Sequence, residues 1–152
     1  MKYDVRRMYK QARGFQLAGL RCIQIQENEE QQWLPIQSIV NCAFACEIYL
    51  KAILDYDDLN SNGHHLKELY DRLLPKRKSA LTDLLCKEYT AEQVERYFLE
   101  VNNVFVEYRY IYEMSEDHRE HLGFVSDLAS ALTEIVGKLT QEYVLRMIEG
   151  TL

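Results

Sequence analysis

Long apolar runs are missing from this sequence. No stretch of eighteen consecutive apolar residues occurs, and the first ten residues (MKYDVRRMYK) are too charged for a signal peptide. Because a membrane-spanning helix needs about 20 mainly apolar residues, no membrane span is expected. The four cysteines lack the spacing of a disulfide scaffold: Cys22, Cys42, Cys46 and Cys86. Reduced thiols in a cytoplasmic protein are therefore predicted.

Common catalytic motifs are missing as well. The sequence has no Gly-rich phosphate loop, no Ser/His/Asp pattern and no paired-carboxylate signature. Cys42 and Cys46 are one helical turn apart but are typical of core residues, and the histidines at 118 and 121 form only a weak zinc motif. No cofactor and no metal site is predicted. The net charge of −6 argues against a broad basic nucleic-acid surface, but it allows a local basic site.

The most apolar stretch is residues 39–54, IVNCAFACEIYLKAIL, in which only Asn41, Glu47 and Lys51 are strongly polar. Its length and the lack of Gly and Pro indicate a helix rather than a strand. A helix that is apolar on nearly every side must be surrounded by other elements. We therefore predict that it is the central helix of a bundle, and that Glu47 and Lys51 pair across one turn.

Helical spacing of apolar residues also marks the rest of the chain, and no segment alternates with the period of a strand. Pro35 suits the first turn of the central helix, Thr90 and Gln93 form a capping box, and Gly19 would allow a close helix contact. The predicted helices cover residues 3–26, 35–57, 66–74, 79–89, 90–114 and 124–148. The predicted connections are 27–33, 59–65, 115–123 and a solvated basic turn at 76–78. The prediction is an all-α, up-and-down, four- to five-helix bundle that forms one domain over residues 1–152.

Three stretches in series resemble the HEPN family (higher eukaryotes and prokaryotes nucleotide-binding domain). Residues 43–54 (AFACEIYLKAIL) are similar to the Glu-x-x-x-Lys helix of that family. Residues 63–73 (GHHLKELYDRL) are similar to the Gly-His-x-Leu-x-x-Leu that commonly follows it. Residues 105–113 (FVEYRYIYE) resemble the end of the third long helix, which bears an Arg in the family.

The resemblance implies a helical domain that commonly dimerises. Many members of the family are metal-independent ribonucleases of toxin–antitoxin, phage-defence or RNA-processing systems, and others are binding or assembly domains. Active members carry an Arg and, after four to six residues, a His. Arg109 fits the Arg, but the next histidine, His118, comes only after eight intervening residues.

Candidate site residues follow from these motifs. We predict binding through Arg109, Tyr110, Glu113 and His64. The guanidinium of Arg109 suits phosphate, although pairing with Glu113 is the structural alternative. The flanking tyrosines could stack on bases or simply pack. His64 could bind a ligand, cap a helix or fill a packing slot.

Two functions are therefore predicted as alternatives. The leading hypothesis is a non-catalytic or degenerate HEPN-like module for dimerisation and for binding of a nucleotide, RNA or protein. The other is a metal-independent endoribonuclease in which Arg109 holds the phosphate and His118, or His121, moves the proton. A structural adaptor without a ligand is a third, weaker hypothesis. The expected partners are a second copy, through the tyrosine-rich helix 94–112, and a separate nucleotidyltransferase or antitoxin chain.

Overall fold

The computed structural model describes residues 3–24, 34–104, 108 and 119–151. These ranges contain α-helices and no strand. The helices are α1 Val5–Arg21, α2 Pro35–Tyr56, α3 Leu66–Asp71, α4 Pro75–Leu85, α5 Ala91–Glu100 and α6 Arg119–Glu149. The predicted all-α bundle is confirmed.

The predicted central helix is α2, and most of its side chains are buried. It packs against both other long helices, α1 and α6. Within the described ranges α2 is also the one helix long and apolar enough to cross a membrane, although 61% of the window that meets this criterion is buried in the protein. Since a core helix has the same length and composition, this finding does not decide between the two environments.

Of the three long helices, α1 runs in one direction and α2 and α6 run in the other. α1 runs antiparallel to α2, because Gly19 contacts Cys42 near one end while the Tyr3 backbone N–H donates to Asp55 Oδ2 (2.7 Å) near the other. α6 runs parallel to α2, since the start of α6 meets the middle of α2 and the Tyr56 hydroxyl donates to Glu142 Oε2 (3.0 Å) near the ends of both.

The chain segment between α2 and α6 contains three short helices, α3, α4 and α5. α5 runs antiparallel to α6, because Tyr97 stacks on Phe124 while Tyr89 donates to Asp127 further along α6. The ring of Phe98 stacks on Tyr70 of α3 with centroids 4.3 Å apart. This aromatic cluster attaches the short helices to α6.

The prediction of one continuous helix through residues 94–112 is wrong at residues 101–103, where the backbone forms a turn after Glu100. The reason is tertiary: Asn102 Oδ1 accepts a hydrogen bond from the Lys67 N–H (2.9 Å), which is one of the unpaired donors in the first turn of α3. The turn at 101–103 places Asn102 where its side chain satisfies that donor.

The argument for a dimer from exposed aromatic rings is also wrong for the described part of 94–112. Tyr97, Phe98 and Tyr108 are buried within one copy of the chain. The homodimer itself stays a prediction.

Two predicted connections are partly helical. Residues 119–123 belong to α6 rather than to a loop. The triplet at 76–78 lies in the first turn of α4, where Arg77 binds Asp57 through Nε and Nη2 at 2.8 Å each. This ion pair raises the pKa of Arg77 and fixes α4 to the end of α2. The prediction of a solvated turn at 76–78 is therefore wrong for Arg77.

A buried polar cluster joins the three long helices. Gln16 Oε1 accepts hydrogen bonds from the Tyr49 hydroxyl (3.1 Å) and from the Thr133 hydroxyl (2.7 Å). Arg13 Nη1 donates to the same oxygen at 2.9 Å. Because an unpaired buried polar group is costly, these bonds favour one register of α1, α2 and α6.

Gly19 sits at a close contact between α1 and α2, as predicted. A Cβ at this position would lie 2.7 Å from Cys42 Sγ and 3.0 Å from the Ser38 carbonyl oxygen, whereas a Cβ at Gly14 would have no atom within 4 Å. The two glycines of α1 thus differ in environment but not in secondary structure.

The variant Gly19→Ala should therefore destabilise the fold by about 1–3 kcal/mol, because the added methyl group overlaps α2. Gly14→Ala is the matched control and should stabilise by up to about 1 kcal/mol, since Ala has the higher helix propensity. Urea unfolding followed by circular dichroism would measure both. Equal stabilisation by the two variants would contradict the close contact.

Candidate functional site

A buried carboxylate joins α2 to the loop before α3. Glu47 Oε1 accepts from Lys51 Nζ (2.7 Å) and lies 2.9 Å from His64 Nδ1. We name Glu47, Lys51 and His64 the Glu47 cluster. The pair one turn apart in α2 was predicted, and its geometry is confirmed.

The exposure of the three side chains is graded from inside to outside. The side chain of Glu47 is 7% exposed, that of Lys51 20% and that of His64 78%. The second carboxylate oxygen, Glu47 Oε2, is buried and has no hydrogen-bond partner among the residues that the structure describes. One inner carboxylate therefore positions two outer N–H donors.

The loop 57–65 brings His64 to Glu47. The backbone of Gly63 has φ +103°, a left-handed conformation that glycine adopts without strain. After His65, the buried Leu66 and Leu69 fix α3 on the core. The turn at 101–103 lies next to the start of α3, because Asn102 accepts a hydrogen bond from the backbone N–H of Lys67.

The Glu47 cluster has the donors of an anion site. Lys51 carries three N–H donors, of which Glu47 takes one, and His64 is engaged through Nδ1 only among the described residues. Lys and His side chains held in this way can bind phosphate oxygens. The described residues contain no group of three His, Cys, Asp or Glu side chains that could hold a metal ion.

A second polar group lies where α5 and α6 meet. His121 Nδ1 lies 2.9 Å from the Tyr108 hydroxyl, and His121 Nε2 lies 3.3 Å from Glu100 Oε2. Because a carboxylate only accepts, this geometry has Nε2–H donating to Glu100 and Nδ1 accepting from Tyr108. We name Glu100, Tyr108 and His121 the His121 cluster.

Most of the predicted site residues lie outside the described ranges: Arg109, Tyr110, Glu113 and His118. Tyr108 directly precedes Arg109 in the sequence, and Arg119 opens α6 directly after His118. The His121 cluster therefore connects Tyr108, which precedes residues 109–118 in the sequence, with His121, which follows them. Of the predicted binding residues, His64 is placed, in the Glu47 cluster.

Sequence reasoning did not select Glu47 and Lys51 as site residues, although it paired them. The signal was available, because they are two of the three strongly polar residues in an otherwise apolar run. Their contact with His64, 17 positions along the chain from Glu47, needed the fold.

The cysteines form no site with these groups. Cys42 and Cys46 are fully buried, which confirms their predicted place in the core, and all four cysteines are unpaired. Burial raises the pKa of Cys42 to about 11, and burial also raises the pKa of Cys46. Both thiols are therefore protonated and unreactive at neutral pH.

No model of a known protein family, no curated protein and no solved structure matches the chain. The HEPN resemblance stays a prediction from the three sequence stretches.

The chain offers a matched test of the Glu47 cluster, because Glu134 and Lys138 form a second pair one turn apart at 2.8 Å, with both side chains more than half exposed. Lys51→Met should lower the free energy of unfolding by about 2 kcal/mol or more, since it leaves a buried carboxylate with one partner fewer. Lys138→Met should have almost no effect. Thermal and urea unfolding would measure both, and equal effects would contradict the special burial of Glu47.

Proposed function

We propose that the protein is a HEPN-like helical module that binds RNA or a nucleotide through a phosphate group at the Glu47 cluster. The observation that carries this proposal is the buried Glu47 carboxylate with Lys51 and His64 on its outer side. Arg109 would supply a further cation. The partners expected with this function, a second copy and a separate nucleotidyltransferase or antitoxin chain, are proposed with it.

The cost of burying Glu47 supports a binding role. A buried carboxylate with an unpaired oxygen destabilises a fold, and an apolar residue of similar size would avoid that cost. What the carboxylate supplies is the orientation of two donors that would otherwise be flexible. Positioned donors bind phosphate more tightly than free ones, because less side-chain freedom is lost on binding.

The charge of the chain supports a local site. A net charge of −6 repels nucleic acid at long range, so binding has to come from a few well-placed cations. Lys51 and Arg109 would supply such cations, with His64 as a further N–H donor.

We expect His64→Ala and Lys51→Gln each to weaken the binding of a fluorescein-labelled single-stranded oligoribonucleotide by about fivefold, the loss of one charge-assisted hydrogen bond. His65→Ala is the matched control and should bind as the parent protein does. Fluorescence polarisation at fixed salt would measure all four proteins. A parent protein that binds no RNA and no nucleotide would refute the proposal.

The second candidate function is a metal-independent endoribonuclease, and the His121 cluster is the observation that favours it. His121, oriented by Glu100, would accept the proton of a ribose 2′-hydroxyl at Nδ1 once that hydroxyl has replaced the Tyr108 hydroxyl as its partner. The 2′-oxygen would then bond to the adjacent phosphorus, and the bond from that phosphorus to the 5′-oxygen of the next nucleotide would break as the 5′-oxygen takes up a proton from water. Arg109 would stabilise the charge on the phosphate. His118 is the alternative to His121 as the base.

This candidate predicts RNA cleavage in the presence of EDTA, with a 2′,3′-cyclic phosphate as product. Arg109→Ala, and either His118→Ala or His121→Ala, should reduce the rate by about 100-fold or more. The control His65→Ala should keep the parent rate. Cleavage that persists in the His118→Ala/His121→Ala double variant would exclude this mechanism.

A further inference from the structure

The basic residues of this acidic chain are concentrated near its start. Residues 1–24 contain six Lys and Arg and one Asp, whereas the whole chain has 18 basic and 24 acidic residues. Five of the six lie in α1, which contains no acidic residue: Arg6, Arg7, Lys10, Arg13 and Arg21. We name these five the α1 basic face.

These residues share one side of the helix. With 100° per residue, all five fall in a sector of about 120°, and Arg6 and Arg21 are separated by about 22 Å along the axis. Gly14 lies in the same sector, and a Cβ there would have no atom within 4 Å. The α1 basic face is therefore a positively charged strip of the helix, and no other atom covers it at Gly14.

Some of these cations are exposed and others are held. The side chain of Arg7 is 90% exposed and its Nε lies 4.0 Å from Asp4 Oδ2. Lys10 and Arg21 are exposed without an ion-pair partner in the described part of the chain. Arg6 is held by Asp4 (2.9 Å) and lies over the ring of Tyr143. Arg13 is held by Gln16, in the buried polar cluster. The strip thus combines free cations with fixed ones.

A cleft lies beside the first two turns of this strip. It measures about 490 Å³ and is lined by Asp4, Arg6, Arg7, Tyr9, Lys10 and Thr140. Tyr9 is the aromatic residue of this wall, and its ring also lies 6.1 Å from the ring of Tyr49, measured between centroids. A groove of cations with an aromatic ring is the usual surface for single-stranded nucleic acid, because the cations follow the phosphates and the ring stacks on a base.

We propose that the α1 basic face binds the phosphate backbone of single-stranded RNA. This inference rests on the proposed function and adds a second surface, which shares no residue with the Glu47 cluster. Four of the five cations are arginines, whose planar fork matches phosphate oxygens, and the cleft offers a ring for a base. Because arginine forks bind carboxylates as well as phosphates, the ring of Tyr9 in the cleft is the feature that favours RNA over an acidic polypeptide.

The test is the salt dependence of RNA binding. Each phosphate contact on single strands contributes about 0.7 to the slope of log affinity against log salt, so the double variant Arg7→Gln/Lys10→Gln should lower that slope by about 1.4. The control Lys76→Gln/Lys87→Gln removes two exposed lysines elsewhere and should leave the slope unchanged. All four positions are solvent-facing, so circular dichroism should show the same fold in each protein.

The outcomes separate this inference from the proposed function. An unchanged slope in the α1 variant, with His64→Ala still weakening binding, would overturn the α1 basic face and leave the proposed function intact. A parent protein that binds no RNA would overturn both. If the parent protein binds poly-glutamate and the α1 variant does not, while both bind RNA equally, the face would be assigned to an acidic protein partner and the RNA inference would be overturned.

Discussion

The structure depends on the enclosure of α2. This helix is apolar on nearly all sides, so the chain gains most of its hydrophobic stabilisation by surrounding it. α1 comes close because Gly19 has no side chain where Cys42 and the Ser38 carbonyl need the space. α6 then packs parallel to α2 on another side. The hydrogen bonds of Gln16, Tyr49 and Thr133 fix the relative positions of the three helices, since apolar packing alone tolerates small shifts.

Polar residues inside such a helix need a physical explanation. Glu47 is buried in α2, and it contacts two more exposed side chains, Lys51 and His64. The stretches that resemble the HEPN family contain these same three residues, and the fold brings them together. The proposed binding function is placed here because the fold brings these three residues into contact.

The distribution of charge separates the molecule into two parts. The solvent side of α1 is basic, while the rest of the chain is strongly acidic. An anionic ligand would be repelled by most of the surface and attracted to one strip, which orients it during approach. A local basic surface is therefore present although the net charge of the chain is −6. In the sequence, helical spacing separates the basic residues of α1, so they form no continuous run like the triplet at 76–78.

The sequence by itself determined the elements whose signals are local. Apolar spacing identified α1, α2 and α6, the Thr90–Gln93 capping box marked the start of α5, and both of its hydrogen bonds are present. Tertiary structure decided the rest, because the deciding contacts join distant residues. Asn102 ends the helical run of α5 by binding α3, and the left-handed turn at Gly63 brings His64 to Glu47. Local periodicity reports which face of a helix is apolar; it carries no information about which distant polar groups meet, because that depends on how the helices pack.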